Sequence, residues 1–215
     1  MASSGALTAR IVPLTASLLP AVGEVFAGSH ADYPPFRHLF PDPRRRAQVL
    51  RRFFTATARD ALAFGAVDAA VADGRLLGVA VWLPPGAFPW SARRKLRITP
   101  TMLAIALVRP GAFPGFVRLG ANSERLHPRW RHWNLETMGI APPAQGRGLG
   151  SRLIAPGLAR ADAQRLPCYL TTARDENLGF YRRFGFQVEE EGLPLLPGGP
   201  THWGMRRPPA ATGPG

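Results

Sequence analysis

The run Gln145-Gly146-Arg147-Gly148-Leu149-Gly150-Ser151 constrains this chain more than any other feature. It follows a strand-like stretch, Asn134 to Ile140, and a turn, Ala141-Pro142-Pro143-Ala144. It opens a helix that the apolar spacing extends from about Arg147 to Arg165. A helix N-terminus presents unpaired N–H groups and the positive end of its dipole. Glycines there lack a Cβ, so an anion can approach the backbone closely. The run therefore reads as a cradle for a diphosphate, with Arg147 adding charge. The bland alternative is a glycine-rich helix start that holds nothing.

Spacing narrows the choice of ligand. A dinucleotide fold needs Gly-x-Gly-x-x-Gly, whereas these glycines fall at 146, 148 and 150. A nucleoside-triphosphate loop needs a lysine before Ser/Thr, and none is present here. The pattern that fits is Gln-x-x-Gly-x-Gly, met by Gln145, Gly148 and Gly150.

The rest of the chain frames this run. Arg10 to Leu14 reads as a strand, followed by a helix from Thr15 or Ser17 to Ala27. Tyr33-Pro34-Pro35-Phe36 cannot continue a helix, because both prolines lack an N–H. Asp42-Pro43 supplies a cap and a first-turn proline for a helix running to about Leu62. Ala66 to Ala72 and Leu76 to Leu83 are strand-like and joined by Asp73-Gly74, a hairpin signal. Between residues 84 and 130 the expectation is short helices broken by Pro100, Pro110 and Pro114: one capped by Ser91, one over Met102 to Val108, one over Phe116 to Leu126. They either wall a substrate site or merely cover the sheet. After the glycine run come a strand at Cys168 to Thr172, a helix at Glu176 to Phe184, and strands at Phe186 to Glu190 and Thr201 to Met205. A hairpin followed by alternating strand and helix argues for a mixed α/β sheet. The expected organisation is one domain over residues 1–207 and a flexible tail over 208–215.

Composition excludes several classes. With 46% hydrophobic and 19% charged residues in 215, the chain can bury one ordinary core. No apolar run reaches the roughly 18 residues of a membrane span. Met1 to Leu7 lacks the basic and apolar regions of a secretory leader, so a cytoplasmic protein without membrane partners is expected. A lone cysteine, Cys168, excludes an internal disulfide. Histidines 30, 38, 127, 132 and 202 show no metal-ligand spacing, so no metal is expected. The net charge of +13 comes almost wholly from arginine, in short scattered groups without recurring stacking aromatics. Solvated arginine is the preferred reading over nucleic-acid binding.

Downstream of the glycine run stands Asn177-Leu178-Gly179-Phe180-Tyr181-Arg182-Arg183-Phe184-Gly185-Phe186. Together the two blocks resemble the GNAT family of N-acetyltransferases. Within it, Leu166 to Leu170, Gly199 to Arg206 and Ala31-Asp32-Tyr33-Pro34 with Arg37-His38 resemble the puromycin N-acetyltransferase branch, whose members confer antibiotic resistance. The resemblance covers 133–207 well and 84–130 hardly at all. It implies an acyl-CoA N-acyltransferase fold: a mixed, mostly antiparallel sheet splayed between its fourth and fifth strands, with flanking helices. It also implies that acetyl-CoA gives its acetyl group to an amine by direct attack in a ternary complex. Small-molecule amines and proteins or peptides both stand as acceptors, the former preferred; a CoA sensor without catalysis is a further reading, and monomer and homodimer stay open.

Residue by residue, the resemblance puts the pantetheine against Met138, Gly139 and Ile140. The diphosphate falls on Gln145, Gly146, Arg147, Gly148, Leu149, Gly150 and Ser151. Thr172 and Asn177 lie beside the pantetheine, and Tyr33 and Phe36 lie near the acceptor. Tyr181 matches the tyrosine near the sulfur; a phenol with pKa near 10 stays protonated at neutral pH and can donate to a departing thiolate. The alternative is a tyrosine that only packs helix on sheet. Two-residue alternation puts Asn134, Glu136 and Met138 on one face of a central strand. Glu136 there is either the base that takes the amine proton or the partner of an arginine. Cys168, between Pro167 and Tyr169, reads as buried and structural.

Overall fold

The computed structural model describes residues 9–209; the readings made on Met1 to Leu7 and on 210–215 lie outside the described residues. Seven strands form one sheet: β1 (Arg10–Pro13), β2 (Val67–Ala72), β3 (Arg75–Leu83), β4 (Trp133–Ile140), β5 (Cys168–Thr172), β6 (Gln187–Glu191) and β7 (Trp203–Arg207). Their order is β1-β2-β3-β4-β5-β7-β6, and only the β4–β5 ladder is parallel. This is the mixed, mostly antiparallel sheet the sequence implied. The β2–β3 turn is the expected one, since Asp73 and Gly74 both take the positive φ that a tight hairpin needs.

Helices cover both faces: α1 (Leu19–Ser29), α2 (Pro34–Leu39), α3 (Pro43–Ala61), α4 (Ala92–Val108), α5 (Phe113–Leu126), α6 (Leu149–Ala163) and α7 (Glu176–Arg182). β3 shows how the layers are divided. Val79, Val81 and Leu83 join a core with Phe26 of α1 and Phe54 of α3. Ala80 and Trp82 join a second core with Leu153 and Ile154 of α6. Alternate residues of one strand thus bury against opposite layers. α6 lies so close to β3 that a Cβ on Gly157 would meet the Trp82 ring at 2.0 Å. Arg160 of α6 ties this packing to β2 through both oxygens of Asp68, at 3.1 and 2.5 Å.

As expected, no helix continues into Pro34 and Pro35: α1 ends at Ser29, and the two prolines open a new short helix, α2, where a missing N–H is harmless. Two sequence expectations are corrected. Pro100 does not break the chain, because α4 runs through it as one helix capped by Ser91. α6 begins at Leu149 rather than Arg147, because Gly146 and Gly148 are both left-handed. Elsewhere element ends move by a few residues. Among the described residues no single helix is long and apolar enough to cross a membrane.

Candidate active site

β4 and β5 pair only at Trp133–Cys168 and Asn134–Tyr169, after which β4 continues to Ile140 and β5 to Thr172 without a ladder between them. The amides and carbonyls of β4 that face β5 beyond Asn134 therefore lack a strand partner, and an extended ligand can use them. The cause lies on the other edge of β4. Val81 stands opposite Thr137 and Trp82 opposite Leu135, so Glu136 is an extra residue in the register. Such an insertion increases twist and bends the strand.

The same insertion overturns the expectation that Asn134, Glu136 and Met138 share a face. Asn134 Nδ2 donates to Glu136 at 2.9 Å, so these two do lie together. Met138 packs instead in the core of α6, whereas Gly139 backs onto Phe26 and Ser29 of α1. Alternation fails wherever a strand carries one residue too many.

The glycine run follows the end of β4 and meets the cavity through Gln145. Gly146 and Gly148 each have φ of +73°, a conformation that side chains with a Cβ resist. No side chain caps α6, so the amides of its first turn have no partner from a cap. Leu149 is buried in the core, while Arg147 is exposed. Gln145 donates from Nε2 to the Ile140 carbonyl at 2.8 Å and so ties the run to the end of β4.

Beside β4 lies a cavity of about 710 Å³. Met138, Gly139, Ile140, Gln145, Thr172, Asn177, Glu136, Tyr181, Tyr33 and Phe36 all line it, whereas Gly146, Arg147, Gly148, Leu149, Gly150 and Ser151 do not. Asn177 Nδ2 donates to Thr172 Oγ1 at 3.2 Å, which joins α7 to the end of β5. Arg37 and His38 are exposed and do not reach the cavity.

Glu136 is half-buried, and among the described residues it forms no ion pair. Burial raises its carboxyl from 4.5 to about 7, against the opposing pull of Arg94 and the Asn134 hydrogen bond. Arg94 itself is committed to Asp60, at 2.8 and 2.5 Å, and donates to the Ala87 carbonyl. Of the two readings of Glu136, pairing with an arginine is the one the geometry does not support. Tyr181 is buried, makes no hydrogen bond among the described residues, and is held above its ordinary pKa by burial and by nearby Tyr33. The Tyr33 hydroxyl accepts from the Ala173 N–H at 2.8 Å, and burial raises it too. Cys168 is buried, which pushes its thiol up to about 12, in keeping with a structural role.

Sequence reasoning missed two contributors, both built from histidines. His30 ends α1 inside the cavity, within 2.9 Å of Ser29 Oγ and 3.5 Å of Thr137 Oγ1. Burial first, and Arg174 second, lower it to about 3, so it stays neutral at physiological pH. His127 and His132 are bonded through their Nε2 atoms at 2.8 Å; His132 Nδ1 lies 2.6 Å from the Trp130 carbonyl and must donate to it. That fixes His132 Nε2 as the acceptor and His127 Nε2–H as the donor. Of the two readings of residues 84–130, the wall of a site is the one the structure supports, since Phe88, Trp90, Ile98, Met102 and Phe116 line the cavity.

Residues 102–188 match a family described as an acetyltransferase (GNAT) domain. A solved structure from Corynebacterium glutamicum, described as histone acetyltransferase HPA2 and related acetyltransferase, is 26% identical with a TM-score of 0.70, covering 95% of this chain and 98% of its own. PaiA N-acetyltransferase from Thermoplasma acidophilum, solved with coenzyme A, is 14% identical with a TM-score of 0.56, covering 94% and 99%. Polyamine N-acetyltransferase from Drosophila melanogaster is 12% identical with a TM-score of 0.56, covering 93% of this chain and 99% of its own.

Proposed function

We propose that this chain, which carries a GNAT acetyltransferase domain, moves the acetyl group of acetyl-CoA to the amine of a small molecule, by direct attack in a ternary complex. The observation that carries the reading is a half-buried, unpaired carboxylate at the point where β4 leaves β5. Glu136, raised to about 7, takes the proton of an incoming ammonium near neutral pH, directly or through water. Acetyl-CoA supplies the activated thioester. The free edge of β4 at Met138, Gly139 and Ile140 would hold the pantetheine amides, with Thr172 and Asn177 beside them. The uncapped start of α6, from Gly146 to Ser151, fits a diphosphate because its amides have no competing side chain. Tyr181 stays protonated and donates to the departing thiolate. Holding both reactants in one cleft replaces a bimolecular encounter with an oriented one.

The cavity favours a compact acceptor. Its outer wall is aromatic and apolar, supplied by Phe36, Phe53, Phe88, Trp90 and Phe116 beside Tyr33. Such a wall suits an amine with an apolar or aromatic body, of which a puromycin-like aminonucleoside is one. The reading takes residues 1–207 as one catalytic domain that acts in the cytoplasm. A free-thiol release assay with acetyl-CoA against a panel of amines, puromycin included, tests it. Thiol release stoichiometric with acetylated amine supports the proposal. Turnover on peptides alone transfers it to a protein acetyltransferase, and saturable acetyl-CoA binding without turnover on any amine leaves only a CoA sensor.

A further inference from the structure

Two histidines that line the cavity each keep one nitrogen lone pair unspent. His202 Nδ1 lies 3.0 Å from the Pro200 carbonyl and must donate to it, because a carbonyl only accepts. In a neutral ring the other nitrogen, Nε2, then carries the lone pair. His127 reaches the same condition through its neighbour: its Nε2–H is spent on His132 Nε2, which leaves Nδ1 as an acceptor. Burial lowers His202 and His132 against the pull of their carbonyl bonds, and burial first, His132 second, lowers His127 to about 3. All three rings are therefore uncharged near neutral pH. Neither His202 Nε2 nor His127 Nδ1 has a hydrogen-bond partner among the described residues. The buried side-chain nitrogens and oxygens that lack one there are Trp82 Nε1 and Arg160 Nε. The two histidine nitrogens are thus not sealed in. His202 is only 3% exposed, so the space its Nε2 reaches is the cavity.

The two rings belong to different walls. His127 follows the last residue of α5, and its ring centroid lies 4.3 Å from that of Phe88. His202 precedes β7, whose Trp203 stands opposite Thr172 of β5. The His202 carbonyl accepts from the Leu193 N–H at 3.0 Å, which closes the connection between β6 and β7. Asn122 of α5 donates to the Leu195 carbonyl of that connection at 3.0 Å, so it is tied across the cavity wall. Phe88, Leu193 and Leu195 make the lining beside the two histidines apolar. An acceptor set in an apolar wall is costly unless something donates to it. The protein does not supply the donor: Tyr169, whose ring lies 5.5 Å from that of His127, spends its hydroxyl on Glu190 at 2.8 Å. An uncharged ring offers no countercharge to a cation, and its lone pair repels a carboxylate or ether oxygen. The group that fits is an uncharged donor.

We infer that the acceptor carries, besides its reacting amine, a hydroxyl or N–H donor that is selected by His202 Nε2 and His127 Nδ1. The inference rests on the acetyl transfer proposed above and narrows its acceptor. Free-thiol release with acetyl-CoA is measured on matched pairs: phenylalaninol and its methyl ether, tyramine and its methyl ether, tryptamine and 1-methyltryptamine. The first two pairs offer a hydroxyl and the third an N–H, and methylation removes the donor. Wild type prefers the donor in at least one pair by about tenfold or more in kcat/KM, as a site built to receive a hydrogen bond does. His202→Phe or His127→Phe removes that preference and leaves the methylated partner nearly unchanged, whereas mere structural damage lowers both members alike. A wild type that treats the members of every pair alike, its nitrogens holding only water, overturns the inference. So does a preference that survives both substitutions. If no amine releases thiol, the reaction fails by itself, and ¹⁵N-histidine NMR of the full chain decides the inference. The expected signals put the proton of His202 on Nδ1 and that of His127 on Nε2, and they shift with an unmethylated amine but not with its methylated partner. The opposite tautomers, or signals indifferent to every amine, overturn it.

Discussion

Glu136 is the residue that the register of β4 with β3 skips, and this slip decides which groups its carboxylate meets. Turned toward Asn134 and the cavity, it is desolvated without an ion pair. The account expects kcat/KM to rise with pH through about 7 as this carboxyl ionises, and to level off above. Glu136→Gln abolishes that limb and lowers turnover by about 10²–10⁴-fold, with acetyl-CoA affinity nearly unchanged. Stability moves the opposite way. The folded chain holds the Glu136 proton more tightly than the unfolded chain does, so this group stabilises fully below about 4.5 and loses that contribution as pH rises through about 7. Melting temperatures measured across this range converge for wild type and Glu136→Gln at low pH, and favour the variant at high pH. Tyr181→Phe keeps the buried ring and removes only the proton donor. Steady-state kinetics are expected to show a lower kcat while calorimetry shows the same acetyl-CoA affinity; an unchanged kcat removes Tyr181 from the mechanism.

At the scale of elements, the site depends on two close fits. α6 reaches β3 only because Gly157 leaves room for the Trp82 ring. Gly157→Ala forces helix and sheet apart, and thermal or urea unfolding is expected to show a loss of about 1–3 kcal/mol or more. α4 is held against α3 by Arg94, whose side chain and that of Asp60 are only 10% and 12% exposed. Arg94→Ala leaves a buried carboxylate unpaired, at a cost of about 3–5 kcal/mol in the same experiment, and loosens the wall that carries Ile98 and Met102. These elements were unevenly legible. The Asp73-Gly74 hairpin and the Asp42 cap could be read because their signals are local; Asp42 Oδ1 accepts from the Arg45 N–H at 2.7 Å. Pro100 misled, because tertiary packing of Ile105 and Arg94 holds α4 together across a residue that local rules treat as a break.

In the whole molecule, the cleft joins three parts that lie far apart in the chain: α1 and α2 near residue 30, the helices between 84 and 130, and the β4–α6–β5–α7 block. The last could be read closely, since glycine positions and the Asn177 to Phe186 block dictate backbone shape over short distances. The acceptor side could not. His30, Phe88, Trp90 and Phe116 meet only through the fold, and neither spacing nor composition records that meeting. Likewise the bulge at Glu136 is a property of two strands in register, beyond what alternation within one strand can reveal. The proposed reaction requires the splayed β4–β5 edge and the uncapped start of α6 to act together on one ligand. Titration calorimetry of the folded chain with acetyl-CoA tests that pairing most directly. Saturable heat with one site per chain, weakened when Gly148→Val stiffens the left-handed turn, is the expected result; no saturable heat from well-folded wild type contradicts the account.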